Sequence, residues 1–324
     1  MTPLLQIQNL SVSFRTDEGL IRAADNISLT INRGEVFGLV GESGSGKTVT
    51  AMSILRLIPS PPGNIDSGTI LFDGRDLLQM PIAELRAIRG RAISVIFQEP
   101  MTALSPLHRI GSQLVETLRF HEKIATPAAR ETARIWLGKV GIPDPDSCLN
   151  AYPYQLSGGM RQRVMIAMAL MLKPALIIAD EPTTALDVTI QAQVLDLMRV
   201  MKDADTSVLL ITHDMGVIWE MCDRMAVMYA AEVVETGPVP DVFRAPRHPY
   251  TQALLESVPA LSARRDRLAS IPGQVPSPLS YPPGCRFQPR CRHAFDRCTA
   301  AHPPPYGPPT SLSRCFLCAP EQKS

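Results

Sequence analysis

The octapeptide Gly41-Glu42-Ser43-Gly44-Ser45-Gly46-Lys47-Thr48 constrains this chain more than any other stretch. It comes after a short, mostly apolar segment, Glu35 to Val40, and precedes Val49 to Ile58, which reads as a helix ending at Pro59. A glycine loop between strand and helix lets backbone N–H groups wrap a phosphate, and the helix N-terminus adds partial positive charge. At this spacing Lys47 reaches the β- and γ-phosphates and the Thr48 hydroxyl ligates Mg²⁺, so the chain is expected to bind a nucleotide. No Asn-Lys-x-Asp tetrapeptide of the guanine-reading kind occurs downstream, which leans the base towards adenine.

The 324 residues correspond to about two domains. With 45% hydrophobic and 19% charged residues, the chain is globular and not disordered. Its longest apolar run, Val164 to Leu172, falls short of the roughly 18 residues a membrane span needs. The start lacks a basic segment followed by an apolar one, so a cytoplasmic chain is expected. The net charge of +1 hides an asymmetry, because Pro238 to Ser324 carries 11 basic and 5 acidic residues. That tail also holds 17 of the 30 prolines and 5 of the 7 cysteines, which places a boundary near Gly237. An odd cysteine count without a secretory signal argues against a disulfide framework and for metal binding or buried thiols.

Leu176 to Ala179 reads as a fully buried strand ending in Asp180-Glu181-Pro182. On alternating strand geometry the two carboxylates point apart. Asp180 then serves the Mg²⁺ shell, and Glu181 faces the γ-phosphate and polarises the attacking water.

Between these motifs stands Leu156-Ser157-Gly158-Gly159-Met160-Arg161-Gln162-Arg163, followed by an apolar run suited to a buried helix. Ser157 is a good N-cap, and the two glycines allow close approach to a phosphate at the helix N-terminus. This segment resembles the signature of the ATP-binding cassette (ABC) ATPases. Gln98 in Phe97-Gln98-Glu99-Pro100 looks like the family's Q-loop, Ala185-Leu186-Asp187 like its D-loop, and His213 in Ile211-Thr212-His213-Asp214 like its switch histidine. Phe14 sits where members place an aromatic that stacks on adenine.

The resemblance implies an α/β fold: a P-loop NTPase ABC cassette with a RecA-like core, an antiparallel β subdomain and a helical signature subdomain, plus a small Cys/Pro-rich C-terminal extension. The expected division is 1–237 for the ATPase, with the helical subdomain at about 99–156, and 238–324 for the extension. It further implies ATP and Mg²⁺ as ligands, the metal held through Thr48, Gln98 and Asp180. Glu181, His213 and Gln98 would be catalytic, and Ser157, Gly158, Gly159 and Gln162 would complete a partner's ATP site in a head-to-tail dimer.

In the tail, Arg247-His248-Pro249-Tyr250 through Leu255, then Ser257-Val258-Pro259, resembles the hallmark of the dipeptide and oligopeptide permease ATPases. Phe97 to Pro106 resembles it too. The plain reading of His248-Pro249-Tyr250 is a helix start with Pro249 in the first turn, and both readings can hold at once. The subfamily implies import of di- or oligopeptides with a second, paralogous ATPase, two membrane permease subunits and, indirectly, an extracytoplasmic peptide-binding protein. The chain would then sit peripherally on the cytoplasmic face of the inner membrane. Nickel, glutathione or another small solute stays open as cargo. A soluble ABC ATPase acting on nucleic acid or ribosomes is the alternative, although the modest basic tail lacks interleaved aromatics and no nucleic acid is expected.

Cys285, Cys291, Cys298 and Cys315 lack the short gaps usual for zinc sites. The subfamily resemblance implies that these four hold a [4Fe-4S] cluster, with zinc as the alternative, and four thiolates suit iron and sulfide. Cys318 departs from the pattern, because with Cys315 it forms a Cys-x-x-Cys pair. Arg286, Arg290, Arg292, Arg297 and Arg314 lie among these cysteines and either offset a cluster's negative charge or form a solvated face. Met165, Met168 and Met171 read as a packed helix face. Ala231 stands where the family usually has Gly, and a turn needing positive φ would be strained there.

Overall fold

The computed structural model describes residues 3–99, 103–183, 188–202, 204–257 and 271–319. The chain divides into two compact units, residues 1–79 with 211–324, and residues 80–210.

In the first unit, β1 (Pro3–Thr16) and β2 (Gly19–Asn32) are long antiparallel strands, with Leu10 opposite Ile27 and Thr16 opposite Gly19. Leu5, Ile7, Leu10 and Val12 of β1 are buried while Gln8 and Asn9 are exposed, and register shifts on either side of Leu10 keep the apolar residues on the buried face. The short β3 (Val36–Val40) leads into the glycine loop and then α1 (Lys47–Ile54). β4 (Gly63–Phe72) pairs with β1, and β5 (Arg75–Asp76) pairs with β4, so the antiparallel sheet runs β2-β1-β4-β5.

The second unit opens with α2 (Ile82–Ile88) and β6 (Ile93–Ile96). Three helices come next: α3 (Ile110–His121), α4 (Thr126–Lys139) and α5 (Pro145–Asn150). They pack on one another through Leu114, Leu118, Ala133, Leu137 and Leu149, all buried. α6 (Gly158–Leu170) carries the expected core methionines: Met165 is 3% exposed and Met168 half-buried, with Met171 buried just past its end. β7 (Leu176–Asp180) is buried along its length and runs parallel to β6, with Ile96 opposite Ala179. α7 (Val188–Met201) leads to β8 (Ser207–Thr212), where the chain passes back to the first unit.

There α8 (Met215–Met221) precedes β9 (Arg224–Tyr229), which lies parallel to β3 and forms a hairpin with β10 (Glu232–Pro238). The two-residue turn, Ala230-Ala231, has φ of +46° and +69°, the left-handed pair that a tight hairpin demands. Ala231 therefore does occupy the strained position anticipated from the sequence. Gly237 lies inside β10, so the C-terminal segment begins without a linker: α9 (Val239–Arg244), α10 (Pro249–Glu256) and the short α11 (Asp296–Ala300). Tyr250, Leu255 and Phe287 share one core with Val40, Val227 and Tyr229. Among the described residues no helix is long and apolar enough to cross a membrane.

Candidate active site

The glycine loop adopts the conformation its sequence demands. Gly44 and Gly46 have φ of +76° and +101°, and a Cβ on Gly46 would collide with the Ala23 carbonyl. Lys47, 5% exposed, donates from Nζ to the carbonyls of Gly41 at 2.9 Å and Glu42 at 3.0 Å. Thr48 is exposed in the first turn of α1. The β9–β10 turn braces this loop, because Ala231 N donates to the Ser45 carbonyl at 3.1 Å and Ala231 O accepts from Asp25 N at 2.8 Å. Phe14 is half-buried in β1 opposite Gly63, where an added Cβ would approach its ring to 2.9 Å. His213 is exposed just after β8, and Asp214 caps α8 by accepting from Gly216 N at 2.7 Å.

In the second unit Asp180 ends β7 and is 3% exposed. Glu181 has φ +45°, so a left-handed residue after the strand, not strand alternation, redirects the second carboxylate. Gln98 Nε2 donates to Glu181 Oε2 at 3.2 Å, which brings together the two residues expected to handle the water. Ser157 caps α6, accepting from Met160 N at 3.3 Å, and Gly158 is exposed with open space around it. Gln162 behaves differently from its expected place in a surface signature. It is 1% exposed and donates to the Pro182 carbonyl at 2.5 Å, so it supports the Asp180–Pro182 segment from inside. Ala185, Leu186 and Asp187 lie outside the described residues, as do Pro100 and Pro259.

Within the first unit, buried polar contacts anchor the tail. His248 caps α10, its Nδ1 accepting from Tyr250 N at 3.0 Å with Pro249 in the first turn, in keeping with the plain reading of this tripeptide. Burial pushes the imidazole down to about 3. The Glu235 carboxylate accepts from Arg247 N at 2.8 Å and His248 N at 2.9 Å. Tyr250 packs against Tyr229 and Phe287, and its hydroxyl accepts the Glu42 N–H at 2.9 Å.

Cys285, Cys291, Cys298 and Cys315 line one small apolar pocket, together with His248, Phe287 and Phe316. Burial raises the Cys285 thiol to about 11 and pushes Cys291 up as well. Cys318 stands beside the pocket, its Sγ directed at the Arg247 carbonyl at 3.7 Å. Its hydrogen bond with Cys315 lowers its thiol below the ordinary value. Among the described residues no group of three or more His, Cys, Asp or Glu side chains gathers tightly enough to hold one metal ion.

Of the arginines among the cysteines, Arg286 and Arg290 are buried and committed elsewhere, so neither a counter-charge nor a solvated face describes them, whereas Arg292 and Arg297 are exposed, as the solvated-face reading has it. Arg286 pairs with Asp25 and with Glu232 at 3.1 Å, and donates to the Ala230 carbonyl at 2.6 Å. Arg290 grips Glu42, Arg292 meets Glu256 at 2.7 Å, and the Arg297 guanidinium lies over the Phe316 ring. Their charge meets carboxylates and a ring, so Arg286 and Arg290 pin the tail in place and are not aimed at a cluster. Nothing in the sequence marked Glu42, Asp25 or Glu232 as their partners.

Comparison with known proteins agrees with this geometry. The ABC transporter family matches residues 24–184, and the oligopeptide/dipeptide transporter C-terminal region matches residues 234–298. The oligopeptide transport ATP-binding protein OppD of Bacillus subtilis is 49% identical over 91% of this chain and 83% of its own length. The dipeptide transport ATP-binding protein DppD of the same organism is 49% identical over 94% of this chain and 91% of its own. Among solved structures, the dimeric ATP-binding cassette MJ0796 in a post-hydrolysis state with ADP and Pi is similar, with a TM-score of 0.65 at 28% identity, covering 72% of this chain and 98% of that one.

Proposed function

This chain belongs to the ABC transporter family, among the ATP-binding proteins of oligopeptide and dipeptide transport, and from that premise we propose that its ATP hydrolysis energises the import of di- or oligopeptides across a membrane. The observation that carries the enzymatic half is the Gln98–Glu181 pair at the end of β7. The similarity to peptide-transport ATPases over nine-tenths of the chain carries the cargo.

Lys47 leaves its two loop carbonyls for the β- and γ-phosphates, and the N–H groups at the start of α1 meet the phosphate oxygens. Thr48, Asp180 and Gln98 would hold Mg²⁺, which would supply positive charge to the phosphates. Glu181 accepts a proton from the attacking water, Gln98 orients that water, and His213 holds the γ-phosphate. Phe14 stacks on the adenine. Ser157, with Gly158 and Gly159 at the N-terminus of α6, faces the nucleotide of a second ATPase, so one chain supplies half of each of two sites.

The partners of this reading are a paralogous ATPase, two membrane permease subunits and, beyond the membrane, a peptide-binding protein, with this chain docked on the cytoplasmic face. Residues 1–237 are then the engine, with the helical subdomain at about 99–156, and 238–324 its subfamily extension. Affinity purification of the tagged chain from detergent-solubilised native membranes tests the assembly. Recovery of two polytopic proteins and a second P-loop ATPase supports it, and recovery of ribosomes or nucleic acid instead overturns it.

Four cysteines around one pocket form a thiolate donor set that suits iron and sulfide, and on the subfamily resemblance we propose a [4Fe-4S] cluster there, with zinc as the alternative. Cys285, Cys291, Cys298 and Cys315 would hold it, supplying four negative charges to the irons. Iron and acid-labile sulfide in anaerobically purified protein, lost in Cys291→Ser, is the expected result; no iron in either sample contradicts it.

A further inference from the structure

Glu42, the second residue of the phosphate loop, is gripped by the C-terminal segment. Its backbone N–H donates to the Tyr250 hydroxyl at 2.9 Å. Its carboxylate receives both Arg290 guanidinium nitrogens, at 2.7 and 3.0 Å. Neither grip is a loose surface contact. Tyr250 is fully buried, with its ring centroid 4.6 Å from that of Tyr229 and 5.4 Å from that of Phe287. The Arg290 side chain is 4% exposed and also donates to the Pro272 carbonyl at 2.9 Å and the Tyr229 hydroxyl at 3.3 Å, so its position is fixed from several sides.

The consequence reaches Lys47. A peptide group is planar, so fixing the Glu42 N–H fixes the opposite end of the same plane, the Gly41 carbonyl. That carbonyl, and the Glu42 carbonyl one peptide further on, are the two acceptors that hold Lys47 Nζ. We propose that Tyr250 and Arg290 are positioning residues for the phosphate loop: they set the Gly41–Glu42 peptide, and through it the resting place of Lys47 and the affinity for ATP. Turned outward to Tyr250, the Glu42 N–H is withdrawn from the phosphate cradle, leaving that task to the amides after it. The extension is thus part of the nucleotide site, built as its outer support. Arg290 stands next to Cys291 in the turn Gln288–Arg290, so this support and the cysteine pocket share a segment of chain.

The inference rests on residues 41–48 being the nucleotide loop, and the test separates the two. Binding of Mg-ATP to the full chain is measured for wild type, Tyr250→Phe, Arg290→Gln, Arg290→Lys and Lys47→Ala, together with thermal unfolding of each. Tyr250→Phe removes one oxygen and is expected to raise Kd roughly three- to tenfold, the effect of losing a buried hydrogen bond. Arg290→Gln raises it similarly, and Arg290→Lys recovers part of the loss. In the assembled transporter KM for ATP rises while kcat changes little. Unchanged Kd in both Tyr250→Phe and Arg290→Gln, with or without a lower unfolding temperature, would overturn the inference and leave the two as structural pins. Normal ATP binding by Lys47→Ala would instead sink the nucleotide-site reading itself. Where Arg290→Gln fails to fold, Tyr250→Phe alone decides.

Discussion

Gln98 donates a hydrogen bond to the Glu181 carboxylate at 3.2 Å, and Glu181 presents that carboxylate from a left-handed backbone conformation at φ +45°. A left-handed backbone costs a non-glycine residue about 1–2 kcal/mol. The arrangement persists because β7 behind it is wholly buried and because Gln162, also buried, fastens the next carbonyl, that of Pro182. Backbone strain of this kind clusters at functional sites, in keeping with the role proposed for Glu181.

Glu181→Gln keeps the size of the side chain and its hydrogen-bonding reach but removes the base. ATP binding is expected to survive, and hydrolysis to fall by roughly 10²- to 10⁴-fold, the usual worth of a positioned general base. Steady-state phosphate release alongside equilibrium ATP binding measures both. Wild-type turnover would assign the base elsewhere.

Gly46→Ala introduces a Cβ that collides with the Ala23 carbonyl at a residue with φ +101°. Backbone cannot yield as a side chain can, so the loop distorts and ATP binding is lost while the rest of the chain stays folded. Calorimetric titration with ATP and circular dichroism of the same sample separate the two effects.

Ala231→Gly relieves the left-handed turn between β9 and β10. The gain from the backbone, partly offset by the greater freedom of glycine in the unfolded chain, leaves about 1 kcal/mol of added stability. Urea unfolding checks the sign, and a lower midpoint would mean that the Ala231 methyl packs more favourably than its φ of +69° costs.

Stability should decline in mild acid through His248. Burial depresses this imidazole from 6.5 to about 3, so between those values the unfolded chain binds a proton that the folded chain refuses. The contribution is complete above pH 6.5 and is lost as pH falls towards 3, with a slope of up to about 1.4 kcal/mol per pH unit. Protonation at Nδ1 would also break the cap on Tyr250 N. Glu235, raised by burial, runs the opposite way above the ordinary carboxylate range. His248→Asn retains a capping acceptor and should flatten the profile; an unchanged slope would place the acid sensitivity on other groups.

The parts legible in the sequence were those written in adjacent residues. Gly41 to Thr48 announces its own backbone geometry, Ser157 its cap, and Leu176 to Ala179 the buried strand that delivers Asp180. The contacts that reach across the chain were not legible. Arg290 and Glu42 are 248 positions apart, and Arg286 and Asp25 are 261 apart, so no local pattern links them. Read only among their neighbours, these arginines suggest either a counter-charge for the cysteines or a solvated face; their carboxylate partners are visible only after folding. Gln162 misled for a related reason. It sits five residues after the Ser157 cap, but the turn of α6 carries its side chain inward, towards Pro182.

The central claim, that this chain converts ATP hydrolysis into peptide import, is tested most directly by uptake of a labelled tripeptide into cells whose only copy of the chain is wild type or Glu181→Gln. Uptake that depends on ATP in the first and is abolished in the second, with equal amounts of both proteins in the membrane fraction, is the predicted result. Equal peptide uptake in both strains would contradict it.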